Sequence, residues 1–217
     1  MFKNKSFSIN LKINLISIIV ILVIFALLII LVSNSAKNEV VKMQTHYLKQ
    51  SNMQFAELME VLLENLKRRV YLNAQSRTTV NDLTNKNFFK SQLTLENIVK
   101  NELYFENVFI ANKDGIIVAS GLQSALNMNI SNLPFWEGIK KEAMYYEKYP
   151  YKSPVSGNPI VTIASPVYGE NNAFLGSISI SLDLSKLSQQ FILSKKFGET
   201  GYPYITSDKG IMLAHIR

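Results

Sequence analysis

The sequence predicts an α+β chain: one N-terminal transmembrane helix, a long helix after it, then an antiparallel sheet module, with a second sheet module only begun. Three observations predict this. The stretch Ile13–Ala36 carries no charged residue. From Lys37 to Val70 there is neither Gly nor Pro, and from Phe55 onward apolar residues recur every three or four positions, which is helical spacing. From Asn107 onward, apolar runs flank short turns of Gly, Asn and Asp, which is hairpin patterning.

The uncharged stretch comes first. Its 24 residues make about 36 Å of helix, and a bilayer core of about 30 Å needs roughly 20 such residues. Leu15 to Val32 is apolar except for Ser17, and Lys12 and Lys37 bracket the whole. The rival reading is a secretory signal peptide, with Ser33-Asn34-Ser35-Ala36 as a small-residue cleavage site. Lys3, Lys5 and Lys12 precede the span with no acid among them. Cytoplasmic flanks are enriched in Lys and Arg. Residues 1–12 are therefore expected inside, 13–35 across the cytoplasmic membrane, and the rest outside or in a periplasm.

Charge and composition follow this division. The 217 residues carry net +7, with 23 Lys and Arg against 16 acids. Three of those cations lie ahead of the span, so the outer part is nearly neutral. There is no stripe of basic residues with interleaved aromatics, so no nucleic-acid partner is expected. Without Cys, and with only two His, disulfides, thiol catalysis and Cys or His₃ zinc sites are excluded. No Gly-rich phosphate loop or nucleophile elbow is present. Glu57, Glu60 and Glu64 lie along one helix rather than across a cleft, unlike a glycosidase pair. No enzyme activity and no cofactor are expected.

Residues 36–103 read as an extracytoplasmic helical region. Leu58, Met59, Leu62, Leu63, Leu66 and Val70 form a stripe that needs a partner, either a second copy of the chain or a domain packed on its side. The polar stretch Asn73–Leu83 is expected to break the helix, and Phe88–Leu103 to resume one.

Residues 104–196 read as the first sheet module. Two apolar runs surround Asn112-Lys113-Asp114-Gly115, with Gly115 supplying a positive φ. Pro159–Tyr168 and Phe174–Leu184, joined by Gly169-Glu170-Asn171-Asn172, form a second hairpin. Asp183 precedes Leu-Ser-Lys-Leu as an N-cap. Tyr204–His215 repeats Phe109–Ser120: Ile110/Ile205, Gly115/Gly210, Ile116/Ile211 and Ala119/Ala214 are identical, each pair 95 residues apart. That spacing suggests two copies of one module, the second starting within residues 197–217. A second module that starts at the end of the chain carries the expectation of a fragment or a truncated reading frame, with a lone tethered binding protein as the rival.

Five stretches, in order, carry a resemblance: Ile130-Ser-Asn-Leu-Pro-Phe-Trp136, Tyr151–Tyr168, Phe174–Leu187, Gly198-Glu-Thr-Gly-Tyr-Pro-Tyr204 and Asp208–His215. Together they resemble the double Cache sensor domain of bacterial methyl-accepting chemotaxis receptors and related sensor kinases, over roughly Asn38–Arg217. The resemblance implies a PAS-like sheet in each module, a small-molecule ligand held by the distal one, and a homodimer that passes a shift of the long helix inward. The same sensor heads histidine kinases and diguanylate cyclases. Members that bind amino acids use an Arg, a Trp, a Tyr and two Asp. Here those positions fall on Leu133, Phe135 beside Trp136, Tyr151, Ser153 and Ser181. The aromatic wall is kept and the charges are gone, so the ligand is expected not to be a free amino acid.

The candidate ligand-binding residues are thus Phe135, Trp136, Tyr149, Tyr151, Ser153, Ser179, Ser181 and Asp183. Trp136, the one Trp, either stacks on a ligand or fills the core. Tyr149 and Tyr151 flank Pro150 and can each aim a phenol inward. Tyr145 and Tyr146 read as packing or surface residues of a preceding helix. Ser177 reads as a solvent-facing strand position, and Asp183 as a helix cap before a ligand contact.

Overall fold

The computed structural model describes residues 9–141, 145–146, 149–191, 204–206, 210 and 212–214. Helix α1 (Ile9–Ala74) runs unbroken for 66 residues. The chain divides into two compact units, residues 1–60 and 61–217. In the first unit the large apolar side chains from Ile13 to Val32 are all half exposed or more. This segment is long and apolar enough to cross a membrane.

In the second unit the end of α1 behaves differently. Leu66, Val70 and Ala74, one turn apart, are buried against the sheet, with Leu62 and Leu63 packed at their side. The expected stripe therefore finds its partner in the chain's own sheet over the last turns. Leu58, one turn earlier, is 48% exposed.

Helix α2 (Arg77–Asn85) begins after a gap of two residues, Gln75 and Ser76. The polar stretch does break the helix, but at once restarts it, because the Ser76 hydroxyl accepts from the Thr79 N–H at 3.2 Å. Such a cap satisfies one of the donors a helix start leaves open. Helix α3 (Phe89–Asn101) follows, and the Ser91 hydroxyl donates to the Asp82 carboxylate, joining α2 to α3.

The sheet is built from β1 (Phe105–Asn112), β2 (Ile117–Ser120), β3 (Tyr145–Tyr146), β4 (Tyr151–Lys152), β5 (Pro159–Tyr168) and β6 (Phe174–Asp183). Its order is β2-β1-β6-β5-β3, with β4 also pairing to β5. All pairings are antiparallel. The side-chain amide of Gln92 on α3 extends the β2 edge, donating to Ser120 O at 2.7 Å and accepting from Ser120 N at 2.9 Å. Two short helices complete the module, α4 (Trp136–Ile139) and α5 (Leu184–Phe191).

Two expectations are corrected. Tyr145 and Tyr146 lie on β3, opposite Ala164 and Ile163, because α4 stops at Ile139 and aromatic residues suit a strand at a sheet edge. Ser177 is fully buried rather than solvent-facing, because β6 is flanked by β1 and β5 and both faces of the sheet are covered.

Strand alternation sorts the two faces. Ile178, Ile180 and Leu182 join Val108 and Ile110 beneath the helices. Phe109, Ala111 and Ala164 face a second cluster with Ile130, Phe135, Trp136 and Ile139.

The internal repeat extends to pairing register. In the β1–β2 hairpin, Ile110 pairs with Ala119 and Ala111 with Ile117, with a bulge between the two pairs. Strands β7 (Ile205–Thr206) and β8 (Met212–Ala214) pair Ile205 with Ala214 and Thr206 with Met212, with a bulge at the same step. Every partner is displaced by 95 residues. Gly115 and Gly210 take the same left-handed turn, at φ 79° and 74°.

Gly176 sits where β6 presses on β1. Its φ is 151°, and a Cβ there would lie 2.0 Å from the Ala111 carbonyl oxygen. Backbone cannot yield as a flexible side chain does, so Gly176→Ala is expected to cost about 3 kcal/mol or more. Leu66→Ala is expected to cost about 2–5 kcal/mol, and the exposed Leu58→Ala less than about 0.5 kcal/mol. Thermal unfolding of the three variants checks the order.

A hydroxyl-lined sheet face under an aromatic lid

The polar side chains of β6 all fall on the sheet face away from α1, α2 and α3. Ser181 pairs with Thr162 on β5 and Asn107 on β1, Ser179 with Ala164 and Phe109, and Ser177 with Pro166 and Ala111. All three serines are buried.

Around Ser181 the hydroxyls form a chain. The Tyr151 phenol lies 2.5 Å from Thr162 Oγ1, which lies 3.0 Å from Ser181 Oγ. Further along the strand, the Ser177 and Ser179 hydroxyls have no hydrogen-bond partner among the described residues. A buried hydroxyl without a partner costs about 1–3 kcal/mol, so this face retains unused hydrogen-bonding capacity.

The segment 153–158 closes one side. Ser153 Oγ accepts from the N–H groups of Val155 and Ser156, at 3.0 and 3.2 Å. The Ser156 hydroxyl donates to Glu106 on β1, and Asn158 Nδ2 donates to Asp183 Oδ2 at 2.9 Å. The other carboxylate oxygen of Asp183 accepts from Ser185 N and Lys186 N, at 2.9 and 3.1 Å. Asp183 thus caps α5 and holds the loop.

Aromatic rings cover the face. Phe135 and Trp136 are buried at the start of α4. Phe135 lies tilted 6.4 Å from Tyr151, and Trp136 meets Phe174 edge-on at 6.1 Å. Lys140 Nζ stands 5.8 Å from the Trp136 ring centre.

Between loop and sheet lies a cavity of about 20 Å³, room for about one water molecule. Of the sequence-predicted residues, Tyr151, Ser153 and Ser181 line it. Phe135 and Trp136 lie in the adjoining lid, Ser179 further along the same face, and Asp183 at the loop anchor. Tyr149 is half-buried just before β4 and is not in the lining. Two lining residues escaped the sequence reading, Glu106 and Asn107. The signal was present: both are polar in the strand Phe105–Asn112, whose other positions up to Ala111 are apolar. Glu106 supplies a carboxylate where the position-by-position reading left none. The lining contains no Lys or Arg among the described residues. No group of three or more His, Asp or Glu that could hold a metal ion occurs among the described residues.

Removing an unpartnered hydroxyl and removing a bonded one should have opposite effects. Ser179→Ala is expected to leave stability unchanged or raise it by about 1 kcal/mol, whereas Ser181→Ala should lower it by about 1 kcal/mol. Chemical denaturation of the two variants measures the sign.

Solved structures share the fold at low sequence identity. The ligand-binding domain of the Pseudomonas aeruginosa amino acid chemoreceptor PctC, in complex with GABA, aligns at TM-score 0.60 and 19% identity, over 78% of this chain and 74% of that one. The Pseudomonas fluorescens chemoreceptor CtaA ligand-binding domain with L-serine aligns at 0.59 and 18%, over 79% and 71%. The sensor domain of the V. cholerae histidine kinase DctB aligns at 0.57 and 18%, over 69% and 59%, so the chain spans less than two thirds of that domain. No curated protein matches. The family match extends over residues 32–217, from α1 at Val32 through the whole sheet to the repeated hairpin, and the chain belongs to the Cache domain family.

Proposed function

We propose that the chain is the membrane-anchored, extracytoplasmic sensor region of a chemotaxis receptor, working by ligand binding rather than catalysis. The observation that carries the reading is the buried hydroxyl face of a Cache sheet, closed by aromatic rings and built on a helix that continues into an apolar segment. The fold likeness to the PctC and CtaA domains supports a chemoreceptor. The likeness to the DctB domain supports a histidine kinase as the second reading. In either case the sensor works as a homodimer, and a ligand must bind one of two helix positions more tightly to move the balance between them.

We infer a ligand without a free carboxylate, either neutral or amine-bearing. An α-amino acid needs a cation for its carboxylate, commonly a bidentate Arg. Leu133 stands at the corresponding position, and among the described residues the cavity lining offers Glu106 but no cation. Because the present space holds about one water, the ligand enters by displacing the Phe135–Trp136 lid.

Two measurements test the reading. In calorimetry of the full chain in lipid nanodiscs, no standard amino acid should bind, and micromolar binding of any of them overturns the ligand assignment. Since the chain has no Cys, single-Cys variants report topology cleanly. Lys49→Cys should react with an impermeant maleimide on intact cells, and Ser6→Cys only after permeabilisation. The reverse pattern overturns the orientation.

A further inference from the structure

A second, larger cavity lies on the opposite face of the sheet, between the sheet and helices α1, α2 and α3. Its volume is about 350 Å³, within the range of small-molecule sites. Its floor is hydrocarbon: Val108 and Ile110 of β1 with Ile178 and Ile180 of β6. These alternate along their strands with the residues of the hydroxyl face, so the two chambers share one sheet and no side chain. Val70 of α1 and Leu95 and Ile98 of α3 continue the apolar wall.

The rim has a different chemistry. Arg69 of α1 and Lys90 of α3 bring two cations to it. Ser76, Thr78 and Thr79 at the start of α2, and Ser91 and Thr94 of α3, add hydroxyl-bearing side chains to the same lining. The start of a helix favours anions through its dipole, and this lining includes the starts of both α2 and α3. The acids nearby are already engaged. Asp82 accepts from Ser91, and Glu102 pairs with Arg69 at a loose 3.5 Å, with half of the Arg69 side chain exposed. An exposed pair of that kind contributes little, so a ligand anion can take the guanidinium from Glu102. Lys90 makes no ion pair among the described residues.

We propose that this cavity is a second ligand site, selective for a small organic anion with an apolar body, such as an arylalkanoic carboxylate. The carboxylate sits at the rim between Arg69 and Lys90, and the ring or hydrocarbon part lies on the Val108, Ile110, Ile178 and Ile180 floor. The selectivity is the reverse of that inferred for the hydroxyl face, where a carboxylate finds no cation. The site stands independently of the sensor reading. Val70 and Asn73 place α1 in its wall, so an occupant touches the same helix that carries the apolar segment.

The test uses the full chain in nanodiscs, with 3-phenylpropionate as probe and 3-phenylpropylamine as its charge control, read by calorimetry. The acid is expected to bind saturably and the amine not. Arg69→Gln and Lys90→Gln replace exposed side chains, and each should weaken the acid by about tenfold or more while leaving thermal unfolding unchanged. Tyr151→Phe, on the opposite face, should leave binding of the acid as it was. No saturable binding of the acid, equal binding of the amine, or loss of binding in Tyr151→Phe with both charge variants unaffected would each overturn the proposal.

Discussion

Strand β6 is hydrogen-bonded to β1 on one edge and β5 on the other, and both of its faces are covered. Its alternating sequence, Ser177-Ile-Ser-Ile-Ser-Leu-Asp183, therefore places a polar row in a dry interior. The apolar row has an immediate use, because Ile178, Ile180 and Leu182 pack under Leu66, Val70 and Ala74 and hold the end of α1 to the sheet. The polar row must find partners within the protein, since a buried hydroxyl without one is costly. Ser181 finds Thr162 and, through it, Tyr151. Asp183 finds two backbone N–H groups and Asn158. Ser177 and Ser179 find none among the described residues. The distribution of polar groups on this face, and the hydrogen-bonding capacity it keeps, follow from that one strand.

The same constraint shapes the surroundings. Space over the small residues Ala111, Ala164, Ser177 and Ser179 is closed by large rings, because close packing tolerates few voids. The loop at 153–158 is anchored at Glu106 on one strand and Asp183 on another, so a shift of the loop acts on both. Asp183 also caps α5, the helix that follows β6 in the chain. On the opposite face the helices do not close the sheet fully, and the 350 Å³ chamber results. One sheet thus separates two spaces of contrasting chemistry, one with a carboxylate and hydroxyls, the other with cations over hydrocarbon.

Much of this was legible in residue order. The long helix, both hairpins and the Asp183 cap follow from spacing and turn chemistry, which act over a few residues, whereas the helix that restarts at Ser76 lies inside the stretch read only as a break. The 95-residue repeat is the strongest case, since identical residues predicted equal pairing partners and the bulge recurs at the same step. The failures have a common cause. Tyr145 and Tyr146 pair with a strand nearly twenty residues later, and local pattern does not report a distant edge. Ser177 looked like a solvent position because alternation shows that two faces differ, not that either is wet. Glu106 was overlooked because its partner, Ser156, lies 50 residues away.

By itself the sequence determined the class of elements, their order, the apolar segment and the repeat, because these depend on local periodicity and turn residues, and five stretches in order carried the family resemblance. Only the tertiary structure decided which hydroxyls are bonded and which are not. It also decided that Tyr151, Ser153 and Ser181 meet at one small cavity while Asp183 serves the loop and α5. It alone placed Arg69 and Lys90 at the mouth of a second chamber. Those outcomes depend on which strand lies beside which and on how completely the helices cover the sheet. Both are set by contacts between residues far apart in the chain.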